Sequence, residues 1–174
     1  MTIYINSYSL ISALGNGIDQ TRENLFQGKS PGMIQTERYS PGRRIFLGMV
    51  NDPLPELEVV ALKHRSRNNQ LLLAAFKNLE ESFFNKFGGV DKSRIAIIIG
   101  SSTSGISDEE NIFSDVLKTG SFPASFDLSQ RLFSSPANFL ADYLGVTGPA
   151  HGISTACTSS AKAVISGEIG RAHV

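Results

Sequence analysis

Residues 148–167 read G-P-A-H-G-I-S-T-A-C-T-S-S-A-K-A-V-I-S-G, and the chemistry of the chain is expected in this stretch. Residues 150–154 have the pattern of a short strand, and the small residues after Cys157 favour the start of a helix. The one cysteine of the chain is therefore predicted to lie at a strand-to-helix turn. The first N–H groups of a helix and its dipole stabilise negative charge, which biases a thiol at this point toward the nucleophilic thiolate.

Cys157 has two interpretations. A lone cysteine in an intracellular protein is most often a small buried hydrophobic side chain. The context of this one, T-A-C-T-S-S-A at 155–161, favours a nucleophile. That motif resembles the active-site cysteine motif of the β-ketoacyl-acyl-carrier-protein synthases, the condensing enzymes of fatty-acid and polyketide synthesis in the thiolase-like superfamily.

The resemblance covers nearly the whole chain. It includes S-A-L-G-N-G-I-D at 12–19, L-F-Q-G-K-S-P-G-M at 25–33, I-I-I-G-S-S-T-S-G-I at 97–106 and S-P-A-N-F-L-A-D-Y-L-G-V-T-G-P at 135–149. Members of the family are considerably longer. The resemblance therefore implies that residues 1–167 are a truncated N-terminal β-ketoacyl synthase domain, the first half of a thiolase-like αβαβα layered fold, with a face that the missing half should cover.

The last seven residues, E-I-G-R-A-H-V at 168–174, are predicted to be a non-native tail. They resemble the translation of a sequencing-adapter read. Gly167 and Gly170 also break the helical pattern that the family continues at this point.

The chain carries 16 basic and 16 acidic residues, a formal net charge of zero. This balance provides no electrostatic footprint for nucleic acid or for a membrane surface. A single cysteine excludes an internal disulfide framework and suits a reducing cytoplasm, where we expect the protein to act. The N-terminus has no signal-peptide pattern, and no apolar run is long enough to span a bilayer.

Strands alternating with helices predict an α/β layered domain. Strands are expected at residues 2–9, 44–50, 94–99 and 150–154, and helices after Asp19, at 66–87, at 108–118, from Ser135 to Gly145 and after Cys157. Residues 94–99 form a continuous apolar and β-branched run, typical of a parallel strand covered on both faces. Residues 30–43 are expected to be a surface loop.

The loop G-S-S-T-S-G at 100–105 lacks the lysine and the spacing of a phosphate-binding P-loop. By resemblance it lies beside the nucleophile and shapes the acyl pocket, so Thr103 and Gly105 are predicted to bind substrate. In the family the position of Thr103 is often filled by a larger apolar side chain, which hints at a changed acyl preference.

The basic cluster K-H-R-S-R at 63–67 is predicted to be the solvated start of a helix, with His64 as part of that surface. The alternative is a docking patch for the acidic helix or the phosphopantetheine of a carrier protein.

The resemblance implies a chemistry. Cys157 takes an acyl group from an acyl carrier protein, a malonyl carrier protein loses carbon dioxide, and the enolate attacks the acyl carbonyl. In the family two histidines and a lysine from the second half assist decarboxylation, and His64, His151 and His173 do not match their motifs. No metal and no cofactor is implied, and a homodimer or heterodimer is expected. This half alone is predicted to be inactive.

Two alternatives remain open. One is a non-catalytic, chain-length-factor-like partner subunit of a synthase; such relatives typically lack the cysteine. The other is a different acyltransferase of the thiolase superfamily, because related reactions share the nucleophile half.

Overall fold

A computed structural model of the chain describes residues 3–57, 60–124 and 126–170, and it describes the side chains of all of these except 107–111 and 170. Six strands and six helices are present in the described residues: β1 (Ile11–Ser12), β2 (Gly15–Asn16), α1 (Ile18–Phe26), β3 (Met33–Thr36), β4 (Ile45–Gly48), α2 (Arg67–Lys77), α3 (Glu80–Phe87), β5 (Ile97–Gly100), α4 (Glu109–Thr119), α5 (Ser135–Leu144), β6 (Ala150–Ile153) and α6 (Ser159–Gly170). Short 3-10 turns lie at Leu62–His64, Lys92–Arg94, Gly105–Asp108 and Leu128–Arg131.

The centre of the fold is a parallel pair formed by β5 and β6. Ile97 pairs with Ala150, and the register runs without interruption to Gly100 and Ile153. Because side chains alternate along a strand, Ile97 and Ile99 pack into the core with α5, whereas Ile98 lies against Gly167 of α6. The predicted parallel strand with helices on both faces is confirmed.

The core lies on the α5 side of this pair. Phe139 of α5 is 1% exposed and packs in one cluster with Leu73 and Phe76 of α2. Burying a side chain of this size contributes about 1.5–3 kcal/mol. Helix α5 ends at Gly145, whose φ of 65° is the left-handed conformation that glycine adopts without strain.

His64 belongs to this core, so the prediction that it is a surface residue is wrong. It is 5% exposed, and its Nε2 lies 2.8 Å from Oδ2 of Asp142 on α5. Its ring lies 5.6 Å from that of Phe139, and Nζ of Lys63 reaches the same Asp142 oxygen at 3.1 Å. The neighbouring basic residues made His64 look like part of the surface, but its partner Asp142 lies 78 residues further along the chain.

Three predicted element types differ from the structure. The described part of the 2–9 segment contains no strand, because alternating residues form a strand only where a neighbouring strand supplies hydrogen bonds. The predicted 66–87 helix is interrupted at Asn78 and Leu79. The apolar residues keep their helical spacing across this interruption because α2 and α3 pack on each other, with the ring centroids of Phe76 and Phe83 5.6 Å apart. The predicted 30–43 loop contains β3, which pairs with β4.

Helix ends also differ in detail. Helix α1 begins at Ile18 with Gly17 as its N-cap, so Asp19 lies in the first turn and is not the cap. Ser134 is the N-cap residue of α5, and Ser135 is its first helical residue. Helix α6 continues through Gly167 to Gly170. A glycine costs a helix only about 1 kcal/mol relative to alanine, so the predicted break at these glycines is wrong.

The outer side of α6 is uncovered in this chain. Val164, Ile165 and Ile169 are more than half exposed, and Val164 reaches 73%. The predicted uncovered apolar face is therefore present on this helix. A contiguous apolar surface of this kind normally marks a place where another surface packs.

The contribution of the His64–Asp142–Lys63 cluster to stability can be measured. The hydrogen bond to His64, followed by that to Lys63, lowers the pKa of the Asp142 carboxyl. Asp142 is 58% exposed at its side chain, so we expect Asp142→Asn to lower the free energy of unfolding at pH 7 by only about 0.5–1 kcal/mol.

A depressed pKa in the folded state means that the carboxylate stabilises the protein fully above the ordinary aspartate pKa of about 4. This contribution is lost as the pH falls through the lower folded value. Thermal melts from neutral to acidic pH should therefore fall more steeply for the wild type than for Asp142→Asn. Asp115→Asn, at an exposed position of α4, is the control, and parallel curves for wild type and Asp142→Asn would contradict the expectation.

Candidate active site

Cys157 lies exposed, with a free thiol, at the turn that joins β6 to α6. It precedes the first residue of α6 by two positions, so its side chain lies at the positive end of that helix. The position at a strand-to-helix turn is the one predicted, and the interpretation of Cys157 as a buried hydrophobic residue is wrong.

The backbone immediately before Cys157 is strained. Ala156 has a φ of 52°, the only positive φ at a non-glycine residue in the described part of the chain. An L-residue in this conformation costs about 1–2 kcal/mol. Such strain persists only where neighbouring bonds hold the backbone, and it occurs most often at functional sites.

Two hydroxyl side chains hold this turn. Oγ of Ser159, a residue that is 3% exposed, accepts a hydrogen bond from the Thr155 amide at 2.9 Å and donates one to the Ala156 carbonyl at 2.7 Å. Oγ1 of Thr158 donates to the Thr155 carbonyl at 2.8 Å. The backbone on the two sides of Cys157 is therefore held together.

Gly100, the last residue of β5, positions the turn by allowing α6 to approach closely. A Cβ atom at this position would overlap the backbone of Ser159 and Ser160. The absence of a side chain therefore allows the first turn of α6 to rest directly on the end of β5. The sequence analysis assigns no role to Gly100, Thr158 or Ser159. The signals for these roles in the sequence are a glycine at the end of a predicted strand and two hydroxyl residues directly after the cysteine.

The predicted substrate residues lie at the same edge of the sheet. The Ser101 amide donates to the Ile153 carbonyl at 3.0 Å, so the loop after β5 and the turn after β6 leave the sheet side by side. Thr103 is exposed, and its amide donates to Oγ of Ser101 at 3.2 Å. Gly105 is buried, and its neighbours are Gln130 and Ser66.

The histidines have other partners. His151 is exposed on β6, with Nε2 3.4 Å from Oγ of Ser166, and His64 pairs with Asp142. His173 lies outside the described residues. The described residues contain no group of three or more histidine, cysteine or acidic side chains arranged to hold a metal ion. None of the helices in the described ranges has both the length and the apolar character needed to cross a bilayer.

Comparison with known proteins places these features in a family. Residues 2–167 match the family model described as "Beta-ketoacyl synthase, N-terminal domain". A curated relative, 3-oxoacyl-[acyl-carrier-protein] synthase I, chloroplastic, from Arabidopsis thaliana, is 25% identical over 166 residues, which are 91% of this chain and 35% of that protein.

Solved structures agree with this match. One chain of the solved complex of a ketosynthase with its chain length factor, from Xenorhabdus doucetiae, superposes with a TM-score of 0.86 at 36% identity, covering 96% of this chain and 44% of that one. A β-ketoacyl synthase from Burkholderia phymatum superposes with a TM-score of 0.70 at 16% identity, covering 92% and 41%. The chain thus spans less than half the length of these relatives.

The role of Gly100 leads to a testable expectation. Gly100→Ala should lower the free energy of unfolding by about 1–3 kcal/mol, the range for overpacking, because the backbone of α6 must move away from the new methyl group. The same movement should change the rate at which iodoacetamide alkylates Cys157.

The matched control is Gly89→Ala, since a Cβ at Gly89 meets open space and this glycine has no positive φ. It should leave both quantities nearly unchanged. If Gly100→Ala melts and reacts like the wild type, Gly100 does not position the turn.

Proposed function

Because this chain belongs to the β-ketoacyl synthase family, we propose that it is the nucleophile-bearing half of an enzyme that condenses an acyl thioester with a malonyl thioester. Membership of the family confirms the predicted resemblance and the thiolase-like α/β fold. The observation that supports the proposal most strongly is the exposed Cys157, held in a strained turn at the start of α6.

The proposed first step is acyl transfer to the enzyme. The Cys157 thiolate attacks the carbonyl carbon of an acyl thioester, a carbon–sulfur bond forms, and the carrier leaves as its thiolate. Negative charge develops on the carbonyl oxygen during this attack, and the backbone N–H of Cys157 is our candidate for one of the donors that stabilise it.

The proposed second step forms the carbon–carbon bond. A malonyl thioester loses carbon dioxide, the resulting enolate carbon attacks the acyl carbonyl, and the Cys157 thiolate leaves. By the resemblance, the histidine and lysine groups that assist decarboxylation come from the second half. The sequence of this chain holds no counterpart of them, so we propose that the 174-residue chain alone does not condense substrates.

Thr103 and Gly105 are proposed to shape the acyl pocket. Their loop leaves the sheet beside the Cys157 turn, and the exposed Thr103 has a small polar side chain. Gly105 is proposed to contribute through close packing, because a side chain at this position would collide with the Gln130 carbonyl.

An acyl carrier protein is the proposed donor, as in the name of the curated relative. The 63–67 cluster is a poorer docking patch than its sequence suggests, since His64 is buried and Lys63 is paired with Asp142. We further propose a dimer, with a second copy or a homologous subunit, acting in the cytoplasm.

A non-catalytic partner subunit is the second candidate, and one finding favours it: the solved complex that this chain matches contains a chain length factor as well as a ketosynthase. The exposed Cys157 favours the catalytic subunit. The protein sequence that follows Gly167 in a complete homologue separates the candidates, because the histidine motifs mark the catalyst and a second cysteine near the end marks a thiolase.

The test of the proposal uses Cys157→Gln in a complete enzyme that contains this domain. The glutamine amide carbonyl occupies the place of the acyl carbonyl, but no acyl-enzyme forms. Condensation should disappear, whereas decarboxylation of the malonyl carrier protein should persist because it does not depend on sulfur.

Mass spectrometry of the wild type with an acyl thioester should show one acyl group on Cys157. Condensation by Cys157→Gln at the wild-type rate would refute the nucleophile and favour the partner subunit. Cys157→Ser, which differs by one atom, is the milder variant if Cys157→Gln fails to fold.

A further inference from the structure

We propose that Gln130 is a positioning residue for the loop that carries Thr103, and that it thereby helps to select the acyl group offered to Cys157. This inference rests on the proposed function. Its geometric part, the control of the loop by Gln130, stands on contacts within this chain and can be tested without any activity.

Gln130 contacts two segments, one through its side-chain amide and the other through its main-chain carbonyl. It lies in the Leu128–Arg131 turn and is 5% exposed. Its side-chain Nε2 donates a hydrogen bond to the Leu62 carbonyl at 2.7 Å and so anchors the 128–131 turn, and its main-chain carbonyl accepts one from Oγ of Ser104 at 3.1 Å. Buried hydrogen bonds are directional and costly to leave unmade, so Gln130 holds both segments at set distances.

The loop is also packed directly against Gln130. A Cβ at Gly105 would lie only 2.9 Å from the main-chain carbonyl oxygen of Gln130 and 3.2 Å from Cβ of Ser66. Ser104 and Gly105 are buried, whereas Thr103 is exposed. The loop therefore passes from the surface to the interior immediately after Thr103, at the point where it meets Gln130.

The other end of the connection is anchored in the core. Leu62 begins the Leu62–His64 turn, and His64 is held by Asp142 and lies against Phe139 of α5. Helix α5 packs on β5 and β6, the strands that carry the Thr103 loop and the Cys157 turn. Through Gln130, the position of Thr103 is thus set relative to the strand that precedes the nucleophile.

Small displacements matter in such a pocket. One methylene group more or less against an apolar wall changes discrimination between substrates by about 10- to 200-fold. A loop that shifts by a fraction of a bond length alters which acyl chains fit, while the thiol itself is unchanged. The expected signature of Gln130 is therefore a change in acyl preference that leaves the reactivity of Cys157 unaltered.

The chain supplies a matched control at Gln70. Its Nε2 also donates to a backbone carbonyl, that of Pro55 at 3.1 Å, which belongs neither to the 100–106 loop nor to the 128–131 turn. Gln130→Leu and Gln70→Leu each remove one amide-to-carbonyl bond at similar volume. Ser104→Ala removes the hydrogen bond that Oγ of Ser104 donates to the main-chain carbonyl of Gln130. It replaces Gln130→Leu if that variant folds poorly.

The first experiment is hydrogen–deuterium exchange of the 174-residue chain. Amides at 100–106 should exchange about fivefold faster in Gln130→Leu and Ser104→Ala than in Gln70→Leu, the change expected for loss of one net hydrogen bond. The amides at 97–99 in β5 should show no such difference. Equal exchange at 100–106 in all three variants would overturn the positioning role.

The second experiment measures acyl preference in the complete enzyme, with butyryl and octanoyl carrier-protein thioesters. Gln130→Leu should change the ratio of kcat/KM for the two donors, with Cys157 alkylation by iodoacetamide at the rate of Gln70→Leu. Faster loop exchange with an unchanged ratio would overturn the selection role alone. Absence of acylation in the wild type would refute the proposed function, and with it the selection role, while leaving the exchange result standing.

Discussion

The parallel pairing of β5 with β6 is the constraint on which the rest of this structure depends. Parallel strands end at the same edge of a sheet, so the loop after Gly100 and the turn after Ile153 emerge together. The register also matters, because a shift by one residue would exchange the faces of Ile97 and Ile98 and move Gly100 away from Ser159. Fold and candidate site are thus set by one set of backbone hydrogen bonds.

The candidate site combines strain with local support. The left-handed backbone at Ala156 is unfavourable on its own, and it is maintained by the hydroxyl groups of Thr158 and Ser159. Gly100 adds a constraint from a different strand by letting the α6 backbone approach. The backbone around Cys157 is therefore fixed although its thiol is exposed, an arrangement that suits the proposed nucleophile.

The two faces of the β5–β6 pair differ in kind. The α5 face is closed by Phe139 and its neighbours. Beside it, the buried side-chain amides of Asn69 and Gln130 donate hydrogen bonds to the backbone carbonyls of His64 and Leu62. The α6 face ends in exposed Val164 and Ile165. This asymmetry fits a chain that spans 44% of the length of a structural relative, since the residues that close the α5 face all lie within this chain.

The sequence alone was enough to predict the turn that carries Cys157, the parallel strand β5, helix α5 and the family, because each depends on residues close together in the chain. A cysteine between an apolar run and small residues, or a proline and a glycine at the two ends of a helix, carries its structural meaning locally. The folded structure was needed to show that His64 is buried, that residues 3–9 form no strand in the described chain, and that Gly100 lies directly against the start of α6. These depend on partners many residues distant, such as Asp142 for His64 and Ser159 for Gly100. The free energy of such contacts arises only when the chain has folded and brought the two partners together, so no local pattern records them.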